Sequence, residues 1–212
     1  MQQKRKYKRK KLKSKIKIFI FVLLSLFIKH TGRNLLKLSH ASKNEISDKT
    51  SAQVENIDQS SVFPKEVCGV PIYIKLIDIN TSARTGEKRI IKYVVIHEID
   101  NFEKGVGAAN HATFLENNNK SPPSWHYTVV DKEIYHHIPN DKRANHAGNK
   151  KGNDYGIGIE LCVNEDGVFN QTFDNATKLV AYLLNSYNSD INAIKTHHDF
   201  TGKECPHNIL KD

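Results

Sequence analysis

The segment IIKYVVIHE, residues 90–98, constrains the fold most strongly, because it is almost continuously apolar and rich in β-branched side chains. A strand with one face in water alternates apolar and polar residues, whereas a continuous apolar run is typical of a strand covered on both faces. A second run of this kind, YGIGIELCVN, occupies residues 155–164. The two runs predict the buried centre of a sheet, and polar side chains begin where each run ends.

Shorter patterns predict the remaining strands. PIYIKLI, residues 71–77, alternates enough for a strand, and residues 125–139 predict two strands around a tight turn at Asp131 and Lys132. A last short strand is expected in AIKTHH, residues 193–198. With the two buried runs, these segments form one central sheet.

Two helices are expected to cover this sheet. One contains Ala108, Ala112 and Leu115, which recur at helical spacing. The other spans residues 172–188, with apolar side chains along one face and Thr172 as its N-cap. Strands mixed with helices around a buried sheet define the α/β class, here a single domain with a central mixed β-sheet flanked by helices.

The charge of the chain is distributed very unevenly. The formal net charge is +9, but 13 of the 32 basic residues lie in residues 1–41, which contain no Asp or Glu. The remainder therefore carries 19 basic against 23 acidic side chains and is mildly acidic. A basic groove for a phosphate backbone is not expected in such a body, so nucleic acid is excluded as a partner.

The amino-terminal segment predicts export. A basic stretch precedes the apolar run IFIFVLLSLFI, residues 18–28, which is the order of the first two regions of a signal peptide. The run is shorter than the roughly 20 residues that span a bilayer as a helix, which favours a signal peptide cleaved after Ala41. The alternative is that residues 1–41 stay attached and tether the protein to the membrane. Residues 42–62 are polar and predict a flexible linker before a folded domain over residues 63–212.

Three cysteines are an awkward number for an exported protein, because disulfides use them in pairs. The sequence leaves open whether Cys68 and Cys162 pair. Cys205 therefore needs another role.

The stretch HHDFTGKECPH, residues 197–207, concentrates candidate metal ligands near the end of the chain. His97 and His197 each follow a predicted strand, and Cys205 follows His197 across a turn-prone loop closed by Pro206. A catalytic zinc ion takes three protein ligands of these types and keeps a fourth position open. The alternative is that the histidines are ordinary hydrogen-bonded residues, since eleven histidines make some clusters coincidental.

Six motifs in order carry a resemblance to a known family: VVIHEIDN, NHATFL, SWHYTV, IPNDKRANHAG, IGIELCVN and HHDFTGKECPHNIL. The chain resembles the zinc-dependent N-acetylmuramoyl-L-alanine amidases of the type-2 amidase group, which are related to the phage lysozyme-type amidases and the peptidoglycan recognition proteins. The resemblance covers roughly residues 67–210 and is strongest to bacterial cell-wall amidases and prophage endolysins.

The resemblance implies a zinc site at one edge of the sheet groove, with His97, His197 and Cys205 as ligands. It implies Glu160 as the acid/base group and Lys203 as the cation that faces the developing negative charge. A lone carboxylate on a buried strand is costly unless it is paired or functional, which agrees with the role of Glu160. The alternatives are a Glu160 that points outward at the sheet edge and a Lys203 that is an ordinary solvated lysine.

The same motifs imply that His146 and His126 are substrate-binding residues of the groove. A structural role for His126, within a packed cluster that includes Trp125, is an equal alternative. His198 and Asp199 are expected as neighbours that orient a ligand, and His207 as a surface or groove residue.

The function implied is hydrolysis of the amide bond between the lactyl group of N-acetylmuramic acid and L-alanine in peptidoglycan, by a monomer in the secreted or cell-wall compartment. One alternative is a non-catalytic peptidoglycan-binding module, which the presence of Cys205 disfavours. The other is a cysteine-type cell-wall peptidase with Cys162 or Cys205 as nucleophile. Pro206 disfavours the second alternative at Cys205, because it lacks the N–H that follows a nucleophile in an oxyanion hole.

Overall fold

The computed structural model describes residues 63–79, 81–84, 86–117 and 123–211. The predictions of a signal or tethering segment and of a linker fall on residues 1–62 and lie outside the described residues. None of the helices in the described ranges is long and apolar enough to cross a membrane.

One mixed sheet of seven strands organises the described residues. The strands are β1 Glu66–Val67, β2 Val70–Ile74, β3 Tyr93–Glu98, β4 Tyr127–Val129, β5 Ile134–His136, β6 Gly156–Leu161 and β7 Ile194–Thr196. Their order across the sheet is β1-β2-β5-β4-β6-β3-β7, with antiparallel pairing of β1 with β2 and of β4 with β5 and parallel pairing of the other four pairs. The predicted α/β class and central mixed sheet are confirmed.

The helices pack on both faces of the sheet. The helices are α1 Ala108–Asn117, α2 Lys150–Tyr155, α3 Phe169–Ser186, α4 His197–Thr201 and α5 His207–Lys211, with a short 3₁₀ turn at Ile191–Ala193. Helix α1 contacts β4 and β5, α2 contacts β3 and β6, and α3 contacts β1, β3, β4 and β6.

The two central strands send alternate residues to opposite faces, as the pleat requires. On β3, Val94 and Ile96 join the main core with Leu179 and Leu183 of α3. The residue after Ile96, His97, turns to the other face, where its ring meets that of His146. The strand is buried over its four inner residues, so the prediction of a two-sided buried strand is confirmed. One face of the sheet thus supplies the core and the other carries the chemistry.

The predicted hairpin is also present. Strands β4 and β5 pair antiparallel, and the backbone N–H of Val130 donates to the carbonyl of Glu133 at 3.0 Å across the turn. Asp131 and Lys132 lie at the tip, as predicted. The sequence did not predict the two-residue strand β1, the three short helices α2, α4 and α5, or the 3₁₀ turn.

The predicted start of the long helix is wrong by three residues. Helix α3 begins at Phe169 with Val168 at its N-cap, and Thr172 is a buried residue of the first turn. Phe169 packs against the core and extends the apolar face one turn towards the amino end. In addition, the N–H of Val168 donates to the carboxylate of Asp131 at 3.2 Å, which anchors this end of the helix.

The predicted last strand also ends too late. β7 stops at Thr196, and His197 and His198 open α4 instead of closing the strand. A capping box causes the change, because the carboxylate of Asp199 accepts from the N–H of Thr196 at 2.9 Å and from its hydroxyl at 3.0 Å. Asp199 therefore serves the start of this helix, whereas the sequence had placed it beside a ligand.

The three cysteines are free thiols, so the structure contains no Cys68–Cys162 disulfide. Cys68 is exposed, whereas Cys162 and Cys205 are buried.

Three buried histidines make the fold sensitive to acid. Burial lowers the pKa of His136 to about 4, that of His137 to about 3, and that of His126 well below the usual value of 6.5. Because these folded-state pKa values are depressed, the unfolded chain takes up protons first as the pH falls below 6.5. Each such histidine therefore removes about 1.4 kcal/mol of stability per pH unit between pH 6.5 and its folded pKa.

We expect the free energy of unfolding in urea to fall steeply from pH 7 to pH 5. His137→Gln removes one of these proton sites, so its stability should depend less steeply on pH than that of the wild type. The exposed His207→Gln variant is the matched control and should keep the wild-type slope. A free energy of unfolding that does not change across this range would contradict the burial argument.

Candidate active site and metal centre

The parallel pairing of β3 brings the candidate residues together. In the ladder with β6, His97 lies opposite Glu160, and in the ladder with β7, Ile96 lies opposite Thr196. His197, the residue after Thr196, therefore emerges beside His97. The carboxyl ends of neighbouring parallel strands share one edge, which is where α/β proteins place their ligand sites.

The three predicted ligands form one cluster. The Nδ1 atoms of His97 and His197 are 3.2 Å apart, and the Sγ atom of Cys205 is 3.9 Å from Nδ1 of His97. One ligand atom from each residue lies within 4.8 Å of the other two. Burial lowers the pKa of both histidines, which favours the neutral form that binds metals.

These separations fit a tetrahedral metal ion. Zinc bound at about 2.0–2.1 Å to nitrogen and about 2.3 Å to sulfur holds its ligand atoms roughly 3.3–3.6 Å apart. The two observed distances lie close to these values, and two nitrogens with one sulfur are a donor set that zinc prefers. The cluster is thus a candidate metal site, with one possible ligand atom from each of the three residues.

Glu98 holds the Cys205 loop against β3, a role that the sequence had not indicated. Its carboxylate accepts from the N–H of Asn208 at 2.9 Å and from that of Ile209 at 3.3 Å, at the start of α5. Its own backbone N–H donates to Sγ of Cys205 at 3.5 Å. Because Glu98 follows His97 directly, one strand end fixes both a ligand and the loop that carries another. The only sequence signal was its position in VVIHE.

Glu160 points its carboxyl group at the same cluster. Its side chain is 13 % exposed, and Oε1 lies 3.9 Å from Nδ1 of His97. Oε2 is buried and has no hydrogen-bond partner among the residues that the structure describes. Burial raises the pKa of Glu160 to about 8, opposed by the charge of Lys203 and reinforced by that of Glu98. A buried, unpaired carboxylate is costly to the fold, and such groups concentrate at functional sites.

Lys203 lies on the exposed loop between α4 and Cys205. Its positive charge acts to lower the pKa of Glu160, His97 and His197. A cavity of about 300 Å³ opens next to the cluster, and Lys203 and Cys205 are both in its wall. The remaining lining residues are Glu98, Ile99, Asp100, Phe102, Val163, Glu204 and His207.

His126 and His146, which the resemblance implies are substrate-binding residues of the groove, lie in the interior of the described structure. His126 is 0 % exposed and His146 is 6 % exposed, and neither lines this cavity. The Nδ1 atom of His126 accepts from the N–H of Gly158 at 3.0 Å, so this ring ties β6 to the start of β4. This bond supports the structural alternative for His126. The neighbouring Trp125 is also buried, and its Nε1 atom donates to the hydroxyl of Thr128 at 2.7 Å.

A model of the N-acetylmuramoyl-L-alanine amidase family matches residues 87–208, more than half of the chain. The chain therefore belongs to this family. It is 39 % identical to the N-acetylmuramoyl-L-alanine amidase CwlH of Bacillus subtilis (strain 168) over 144 residues, 66 % of this chain and 57 % of that protein. It is 37 % identical to XlyA of the same organism over 66 % of this chain and 48 % of that protein. The chain spans about half the length of these curated relatives.

Solved structures give the same result for the fold. A mutant endolysin from Bacillus subtilis superposes with a TM-score of 0.65 at 39 % identity, over 68 % of this chain and 94 % of that one. The catalytic domain of XlyA superposes with a TM-score of 0.64 at 37 % identity, over 67 % of this chain and 94 % of that one. The fold and the family resemblance predicted from the sequence are confirmed.

The buried carboxyl group predicts an unusual stability profile for the metal-free protein. Burial raises the pKa of Glu160 in the folded protein, so folding favours the protonated form of this group. The stability that it contributes is fully present below pH 4.5, where the group is protonated in both states, and is lost as the pH rises through 8. Glu160→Gln should therefore stabilise the chelator-treated protein above pH 8 by a few kcal/mol and change it little near pH 5.

Urea unfolding at the two pH values measures this difference. The exposed Glu103→Gln is the matched control and should leave stability unchanged at both. If Glu160→Gln is destabilising at pH 8.5, the carboxylate is favourably paired in the folded protein and the prediction is wrong.

Proposed function

We propose that this chain is a zinc-dependent hydrolase that cleaves the amide bond between the lactyl group of N-acetylmuramic acid and L-alanine in peptidoglycan. One observation carries the proposal: His97, His197 and Cys205 converge within 4.8 Å at a strand edge where Glu160 also points. Membership of the amidase family and the names of the relatives support the same activity.

His97, His197 and Cys205 would hold the ion, which supplies a Lewis acid for a water molecule and for the scissile carbonyl. The cavity beside Cys205 would give the substrate an approach to the cluster, and Phe102 in its wall, half exposed, offers an apolar surface for the substrate.

Glu160 takes the proton of the attacking water. Its Oε2 atom is free of protein hydrogen bonds within the described part of the chain, so it is available to accept that proton. Without a metal ion, burial raises the pKa of Glu160 to about 8, and a group whose pKa lies near the working pH suits a residue that accepts a proton and then returns it to the leaving amine.

Lys203 stabilises the negative charge that develops on the carbonyl oxygen. It lies in the wall of the same cavity as Cys205, and its positive charge acts on Glu160. A cation placed where charge develops lowers the barrier without having to reorganise during the reaction.

The two alternatives fit the geometry less well. A cysteine peptidase needs a thiolate, but burial raises the pKa of Cys205 to about 11 and that of Cys162 to about 12. A non-catalytic binding module would not be expected to retain a buried carboxylate oxygen without a hydrogen-bond partner in the described ranges beside all three candidate metal ligands. We therefore favour hydrolysis, by a monomer that acts outside the membrane, either secreted or tethered through residues 1–41.

Digestion of purified peptidoglycan with the full chain tests the activity. We expect mass spectrometry to find stem peptides with free L-alanine amino termini, loss of release after EDTA treatment, and recovery on adding Zn²⁺. New reducing sugar ends or cut cross-bridges would identify a different enzyme. Activity that resists EDTA but is lost with iodoacetamide would support the cysteine peptidase instead.

The role of Glu160 is tested with Glu160→Gln loaded with Zn²⁺. We expect kcat to fall by about 10²–10⁴, the usual contribution of a general base, while Zn²⁺ is still bound stoichiometrically. The exposed Glu103→Gln is the matched control and should retain wild-type kcat. Full activity in Glu160→Gln would show that another group accepts the proton.

A further inference from the structure

His146 lies directly behind the metal ligand His97. Nδ1 of His146 is 3.0 Å from Nε2 of His97, and the two rings meet edge to face with their centroids 5.1 Å apart. On its far side, Nε2 of His146 is 3.0 Å from the carbonyl oxygen of Gly156. The metal-facing atom of His97, Nδ1, lies on the opposite side of its ring. His146 is thus placed to act on the ligand rather than on a substrate.

The carbonyl oxygen of Gly156 determines which ring nitrogen of each histidine carries the hydrogen. A carbonyl can only accept, so Nε2 of His146 must carry the hydrogen. A neutral imidazole has one N–H, and Nδ1 of His146 is therefore an acceptor, which requires Nε2 of His97 to donate. His97 then has its lone pair on Nδ1, the atom that faces His197 and Cys205.

The protein builds a slot of matching shape for this ring. A Cβ atom at Gly158 would lie 2.6 Å from Cγ of His146, and one at Gly156 would lie 3.2 Å from its Cε1 atom. The side chain of Asn153 accepts from the N–H of His146 at 3.0 Å and from that of Ala147 at 2.7 Å, which fixes the backbone. The glycines of the motif YGIGIE thus leave room for the imidazole on one face of β6.

We infer that His146 is a positioning residue that locks His97 in the tautomer whose Nδ1 atom binds the metal. The inference rests on the metal site of the proposed function. Partners of this kind, which hydrogen-bond to the second nitrogen of a histidine ligand, orient the ring and raise its basicity. The role replaces the substrate contact expected from the sequence.

Two amide substitutions separate positioning from packing. The side-chain amide of His146→Asn lies where Nδ1 was and can accept from His97, whereas that of His146→Gln reaches the Nε2 position and keeps only the bond to Gly156. We expect His146→Gln to bind Zn²⁺ about 10–100-fold more weakly in competition with a chromophoric chelator, and His146→Asn to stay within about threefold of wild type. Equal affinity in wild type and His146→Gln, or equal losses in both variants, would overturn the inference.

A second readout needs neither a variant nor a metal. Nitrogen-15 NMR of the histidine rings in the metal-free full chain should show His97 protonated on Nε2 and His146 also protonated on Nε2. A hydrogen on Nδ1 of His97 would overturn the inference whatever the affinities are. If wild type binds no Zn²⁺, the proposed function fails, whereas the tautomer of His97 still tests the role of His146.

Discussion

The parallel ladder between β3 and its two neighbours is the constraint on which the rest of the molecule depends. It sets His97 opposite Glu160 and brings His197 out beside them, although these residues are far apart in sequence. Side chains on a strand alternate between faces, so a slip of one residue would turn His97 into the core beneath α3. The apolar residues Val94 and Ile96 prevent that slip, because they must face α3. Core packing therefore fixes the position of the ligand.

Stability and chemistry are divided between the two faces of the sheet. The α3 face is filled by aliphatic side chains, and the burial of each stabilises the fold by about 1.5–3 kcal/mol. The other face carries groups that weaken the fold, among them the unpaired carboxyl of Glu160 and the buried imidazoles of His126 and His146. The fold tolerates these unfavourable free energies because the apolar packing on the α3 face offsets them. Such a balance is common where strain or buried polar groups serve function.

The sequence predicted what depends on local pattern and missed what depends on topology. The buried strands and the hairpin at Asp131 followed from apolar periodicity, and the convergence of His97, His197 and Cys205 followed from motif order. Helix α2 has little apolar periodicity and is held by Asn149, whose side chain accepts from the N–H of Gly152 at 2.8 Å. The burial of His146 was not visible, because its neighbours in space, Gly156 and Gly158, are strand residues ten and more positions away.

The three candidate ligands come from three kinds of element: His97 from a strand end, His197 from the first turn of α4, and Cys205 from a loop. An ion bound there cross-links these elements, and metal binding in such sites is commonly coupled to folding. Contacts within the chain also join these elements. The carboxylate of Glu98 ties α5 to β3, and His146 orients His97 from behind. Because these contacts lie between the elements that carry His97 and Cys205, the packing of the protein itself fixes part of the geometry of the cluster.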